Sequence, residues 1–142
     1  MIRKHGKARW QGNLREGRGT VSTETGSLAD QAYSFARRFG EERGTNPEEL
    51  IGAAHAACYA MAMSAGLEKE GLVADSIDAT STVTLETGEG GAAITRIHLD
   101  VVAAIPGATE EVFQRIAEET KSGCPVSRLL AGAEITLDAR LA

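Results

Sequence analysis

Aromatic residues are scarce in this chain: three Phe, two Tyr and one Trp among 142 residues. That leaves no platform on which successive bases could stack. A formal net charge of -5 leaves no basic footprint for nucleic acid or for an anionic membrane surface. Long apolar runs are missing too. Met1 to Lys7 is basic, but no apolar segment follows it, so no signal peptide is read there. The most apolar stretch, Leu50 to Ala65, is broken by Gly52, His55 and Ser64 and reads as too short and too polar for a membrane span. Repeats, low-complexity tracts and linkers are absent. The expectation is one cytoplasmic domain over residues 1–142, with no nucleic-acid and no membrane partner.

Cysteine is nearly absent as well. There are two, Cys58 and Cys124. A cytoplasmic pair is seldom a structural disulfide, because that compartment keeps thiols reduced. Redox chemistry, metal binding and inert burial remain as readings.

What is present is a clear succession of elements. Lys7 to Gln11 and Gly19 to Thr25 read as strands. Tyr33 to Phe39 alternates apolar and polar residues and predicts a third strand, with Arg37 and Arg38 on opposite faces. Asn46, Pro47 and Glu49 form a strong helix start, and the helix should run to about Gly71. Ile51, Ala54, Cys58, Met61 and Ala65 recur at helical spacing and predict its apolar stripe. Ser76 to Glu86 and Ala92 to Ile105 read as a hairpin. Thr109 caps a second helix ended by Gly123; Pro125 opens a short one through Leu130, and Glu134 to Leu141 is the last strand. The fold class is α+β, an antiparallel sheet with two main helices in the order βββ-α-ββ-α-β. The Ala-rich helix leaves apolar surface that a homodimer would cover.

Cys58 sits in mid-helix, where an apolar setting alone would make a thiol inert. To be a nucleophile it needs a nearby cation. Candidates are Arg15, Arg18, Arg37 and Arg38, with Glu48 or Glu49 to hold the guanidinium. Both glutamates also suit ordinary capping in a first turn. In one continuous helix Glu48 and Cys58 stand about 15 Å apart, so a bridging guanidinium would require Glu48 from a partner subunit. His55, one turn from Cys58, reads as a base, as half of a metal pair, or as a hydrogen-bonded interface histidine, the last being favoured. No third or fourth metal ligand is evident, and His5 and His98 are isolated. Cys124 lies at a helix start, which lowers a thiol pKa. It would suit a resolving cysteine, although spacing along the chain does not establish that pairing.

The residues also resemble a known family. Gly44-Thr45-Asn46-Pro47-Glu48-Glu49-Leu50-Ile51-Gly52-Ala53-Ala54-His55-Ala56-Ala57-Cys58 is similar to the signature helix of the OsmC/Ohr family. So are Ser122-Gly123-Cys124-Pro125-Val126-Ser127, Ala133 to Leu137, Trp10-Gln11-Gly12 and Gly19 to Glu24. The resemblance covers nearly the whole chain and lies nearer the OsmC branch. It implies an intertwined homodimer that reduces organic hydroperoxides through Cys58 as the attacking thiolate and Cys124 as its disulfide partner. It implies that Glu48 and an arginine, Arg38 by the OsmC pattern and Arg15 as the fallback, assist the thiolate. It implies a dithiol reductant such as a lipoylated protein. No cofactor or metal is expected. Met61 and Phe35 would suit a greasy hydroperoxide tail, or simply a core. A non-enzymatic redox sensor and a small-molecule-binding protein are the alternatives.

Overall fold

The computed structural model describes residues 1–142, which form two compact units, Met1–Leu50 and Ile51–Ala142. In the first, β1 (Gly6–Gln11), β2 (Arg18–Thr23) and β3 (Gln31–Tyr33) make an antiparallel sheet in chain order. The expected third strand is cut short. After Tyr33 the chain turns into a single helical turn, α1 (Phe35–Phe39). Its N-cap is Ser34, whose hydroxyl accepts from the Arg37 amide. Phe35 and Phe39 fit a period of two, but they are also four apart, and their rings meet 4.8 Å between centroids on one helix face. The alternation is therefore compatible with either element, and the cap decides.

Helix α2 (Pro47–Lys69) begins at the expected start, where the Asn46 side chain accepts from the Glu49 amide. By length and composition α2 is long and apolar enough to cross a membrane, contrary to the reading of its central stretch alone. Three residues of its buried face, Tyr59, Met63 and Leu67, belong to the core of the second unit. That face is not the expected stripe. Gly52, His55, Tyr59, Met63 and Leu67 are buried, whereas Ala54, Met61 and Ala65 are exposed and Ile51 and Cys58 are intermediate. The helix is apolar around most of its circumference, so periodicity gives no preferred side. Gly52 supplies the reason for the choice: a Cβ there would stand 2.7 Å from the Ser81 carbonyl oxygen, so only glycine lets α2 come this close to the following strand.

The remainder of the second unit is β4 (Ser76–Gly88), β5 (Gly91–Ala104), α3 (Glu110–Gly123), α4 (Pro125–Leu129) and β6 (Glu134–Leu141). β5 is the middle strand, antiparallel to β4 and parallel to β6. The sheet is thus mixed rather than antiparallel, because α3 and α4 carry the chain back before β6 starts, as a parallel pairing demands. Leu99, Val101 and Ala103 of β5 meet Tyr59, Met63 and Leu67 of α2 and Phe113, Ile116 and Ala117 of α3 in one core. Each large side chain buried there contributes roughly 1.5–3 kcal/mol. The Tyr59 hydroxyl is satisfied by donating to the Ala117 carbonyl at 3.0 Å, which ties α2 to α3.

Candidate active site

In the second unit α2 and the α3–α4 junction bring the two cysteines together, near enough for each thiol to shift the acidity of the other, and both are free. Cys124 is 1% exposed, whereas Cys58 is only partly covered. Cys124 ends α3 and caps α4. Its sulfur accepts from the Ser127 amide at 3.3 Å and lies 3.2 Å from the Ser127 hydroxyl.

The two thiols differ in acidity. Burial pushes the Cys58 thiol up; a hydrogen bond from the Val126 amide relieves part of that, and the neighbouring Cys124 adds to it. Burial would raise Cys124 as well, but hydrogen bonds from the Ser127 hydroxyl and amide, from Cys58 and from the Val126 amide prevail and hold it below its ordinary value. Thiolate character within this unit therefore favours Cys124, while access favours Cys58.

His55 is fully buried beside this pair. Its Nδ1 lies 2.9 Å from Ser81 Oγ on β4, and its Nε2 lies 2.8 Å from Ser127 Oγ on α4. The favoured reading, a histidine hydrogen-bonded at a helix surface or interface, is met in its hydrogen bonds, since serine hydroxyls take both ring nitrogens, but the ring lies fully buried rather than at a surface. Burial lowers its pKa, which leaves the ring neutral. Neither Ser81 nor Ser127 stands out in the sequence as a site residue. For Ser127 a signal exists: it lies three residues after the N-cap Cys124, the position from which side chains answer a cap. For Ser81, in the middle of a strand, there is none.

In the first unit, Arg38 and Glu48 form an ion pair. Arg38 Nη2 donates to Glu48 Oε1 at 2.7 Å, and Nε reaches both carboxylate oxygens at 3.2 Å. The Glu48 side chain is 12% exposed. Two of the rival arginines have partners of their own, and Arg18 lies on β2. Arg37 binds the Glu42 carboxylate at 2.9 Å and the Arg43 carbonyl at 3.0 Å. Arg15 lies over the Phe35 ring, 5.0 Å from its centroid. Arg38 itself lines a cleft of about 280 Å³ whose other walls are Trp10, Leu14, Tyr33, Ser34, Phe35 and Phe39. An arginine at the edge of an aromatic-rich cleft suits a ligand with a polar end and an apolar body.

Two neighbouring free cysteines, one of them partly exposed, are the residues of this α+β fold suited to redox chemistry. Residues 40–139 match the family described as OsmC-like protein. The chain is 51% identical over 140 residues, 99% of its own length and 97% of the relative's, to the "Peroxiredoxin OsmC" of Escherichia coli (strain K12). It is 30% identical over 127 residues, 87% of its length and 85% of the relative's, to the "Organic hydroperoxide resistance protein" of Xanthomonas axonopodis pv. citri (strain 306). Its fold superposes with a TM-score of 0.70 on the organic hydroperoxide resistance protein OhrB of Bacillus subtilis, at 23% identity, covering 97% of this chain and 98% of that one. The OsmC-like protein of Mycoplasma pneumoniae gives a TM-score of 0.75 at 16% identity, covering 99% and 98%. The chain belongs to the OsmC-like family. Its role is peroxide-related redox chemistry of the peroxidase type.

Proposed function

We propose that this protein is a cytoplasmic, cysteine-based peroxidase that reduces organic hydroperoxides to alcohols. The proximity of Cys58 and Cys124 carries the reading, since two free thiols that each alter the other's acidity are neighbours in the folded unit.

Cys58 is the attacking sulfur. Cys124 has the more acidic thiol, but at 1% exposure it is shielded from a peroxide, so access decides. Cys58 is raised by burial and needs a cation to ionise. The Arg38–Glu48 pair is the fitting source, brought by the partner subunit of a homodimer; the helical rise between Glu48 and Cys58, about 15 Å, speaks for a second chain. The exposed Ala54, Met61 and Ala65 on α2 supply an apolar face for that second chain to cover.

The Cys58 thiolate attacks the terminal peroxide oxygen, and the O–O bond breaks. The alkoxide takes up a proton and leaves as the alcohol. The sulfur gives up two electrons and becomes a sulfenic acid. The Arg38 guanidinium stabilises the charge that develops on the oxygens. Cys124 then condenses with the sulfenic acid, releasing water, and an external dithiol, such as a lipoylated protein, reduces the disulfide by exchange. The aromatic cleft beside Arg38 favours organic over hydrogen peroxide.

The test is turnover of cumene hydroperoxide against hydrogen peroxide with dihydrolipoamide, for the wild type and Cys58→Ser. Multiple turnovers that favour the organic peroxide and vanish in Cys58→Ser are expected. Absence of turnover in the wild type with two different dithiols would overturn the reading.

A further inference from the structure

The peroxidase step leaves a largely buried chain of polar groups unused, Ser81, His55 and Ser127, which ends on Cys124 in unbroken succession. We propose that His55 is a positioning residue for the second thiol, accepting the Cys124 proton through the Ser127 hydroxyl as the disulfide forms. The proposal rests on Cys58 being the sulfur that is first oxidised.

The geometry lays out a continuous line for the transfer. The spacings along the chain are 2.9 Å from Ser81 Oγ to His55 Nδ1, 2.8 Å from His55 Nε2 to Ser127 Oγ, and 3.2 Å from Ser127 Oγ to Cys124 Sγ. All are within proton-transfer reach. If Nδ1 carries the proton and donates to Ser81, then Nε2 is left as an acceptor. Ser127 donates to Nε2, and its oxygen accepts from the Cys124 thiol. Every hydroxyl and ring nitrogen is used, and no buried side-chain nitrogen or oxygen lacks a partner. Two serines, from β4 and α4, partner both ring nitrogens and hold the ring along one line. The Gly52–Ser81 approach holds that line, because it lets α2 bring His55 onto β4.

The step balances. Cys124 gives its proton to Ser127 as Ser127 passes its own to His55 Nε2. The resulting thiolate attacks the Cys58 sulfur, the S–S bond forms, and the S–O bond breaks. The departing hydroxide takes up one proton, so water and a neutral His55 are left. The sulfur of Cys124 is oxidised and that of Cys58 is reduced, both to the disulfide level. Ring neutrality, which this direction requires, follows from the burial that lowers His55. The other titratable groups bearing on Cys124 are on α2. Cys58 is its neighbour. Tyr59 is held well above its ordinary value by burial, with Glu118 of α3 and Cys124 acting in the same direction. Neither is free to take the proton.

Two measurements test the relay. Stopped-flow single turnover with one equivalent of cumene hydroperoxide separates sulfenic acid formation from disulfide closure. Ser127→Ala should slow closure at least about tenfold more than it slows the first phase, and move the pH profile of closure upward toward that of a plain thiol. Ser127→Thr, which keeps the hydroxyl, should restore both. The second measurement does not involve peroxide: the thiolate absorbance of Cys124 is titrated in the Cys58→Ser protein. Ser127→Ala and His55→Gln should each raise its midpoint, Ser127→Ala by about one pH unit. A first phase present in the wild type with closure equally fast in Ser127→Ala, or an unchanged Cys124 midpoint, would overturn the relay and leave the peroxidase reading standing. Loss of the first phase in the wild type would overturn the peroxidase reading, and the relay with it.

Discussion

Arg38 grips Glu48 from two of its nitrogens, Nη2 at 2.7 Å and Nε at 3.2 Å, so the guanidinium plane is fixed by one carboxylate. Glu48 belongs to the first turn of α2, where a negative charge also meets the positive end of the helix dipole. The pair is preorganised, and a lysine in place of Arg38 keeps the charge but loses the fork. Arg38→Lys should lower kcat/KM for cumene hydroperoxide by about 10- to 100-fold, and Arg38→Met by more, with the fold retained by circular dichroism. Wild-type activity in Arg38→Met would remove Arg38 from the site.

Cys124→Ser separates the two thiol roles. It should consume about one peroxide per Cys58 and then stall, with Cys58 progressing to the sulfinic acid under excess peroxide, as read by intact-protein mass. Sustained turnover would show that an external thiol resolves Cys58 directly.

Gly52 has no room for a methyl group. Gly52→Ala should destabilise the protein by about 1–3 kcal/mol, because its Cβ would meet a backbone carbonyl oxygen that cannot swing aside. Equilibrium urea unfolding measures this. The same variant should slow disulfide closure, since it pushes His55 off Ser81.

His55 predicts how stability responds to acid. Burial depresses its folded pKa below the ordinary 6.5, so below that ordinary value the unfolded chain binds the proton first. The unfolded state then holds more protons, and stability rises with pH across this window. Stability is complete above about pH 6.5 and falls as the pH drops from there toward the folded value. Urea midpoints at pH 7.5 and pH 5.5 should differ in the wild type, by an amount that shrinks in His55→Gln. Equal differences in the two proteins would count against this origin.

Met61 is 78% exposed on the chain by itself, amid alanines on the outer face of α2. Met61→Lys should shift the protein from dimer to monomer in sedimentation velocity and lower peroxidase activity at the same time, if the partner's arginine completes the site. A monomeric variant with full activity would refute the shared site.

Much of this is legible in the chain, for physical reasons that differ from residue to residue. Glu134 to Leu141 reads correctly to the residue, because strict alternation on a half-covered strand has one interpretation. Asn46 and Pro47 mark the start of α2 because caps are local chemistry. Phe35 to Phe39 reads wrongly as strand because its spacing satisfies two periods. The buried side of α2 eludes the pattern because alanine is nearly indifferent to which side faces inward, and a close backbone approach at Gly52 sets it. The parallel partner of β5 depends on how α3 and α4 return the chain, which no local pattern encodes. The cysteines are recognisable by residue type and context, whereas residue types alone leave four arginines and two glutamates open and only the family resemblance singles out Arg38 and Glu48. Ser81 meets His55 across 26 positions of chain, so only the folded backbone reveals it.

The sulfur of Cys124 is also the acceptor that caps α4, through the Ser127 amide. A thiolate is a far better acceptor than a sulfur tied up in a disulfide, so oxidation weakens the first hydrogen bond of that helix. In the proposed cycle the oxidation state would thereby reach a five-residue segment whose Leu129 faces solvent at 80% exposure. A reductant that docks on this segment would meet a looser surface on the oxidised protein than on the reduced one, and could tell spent molecules from ready ones before touching either sulfur.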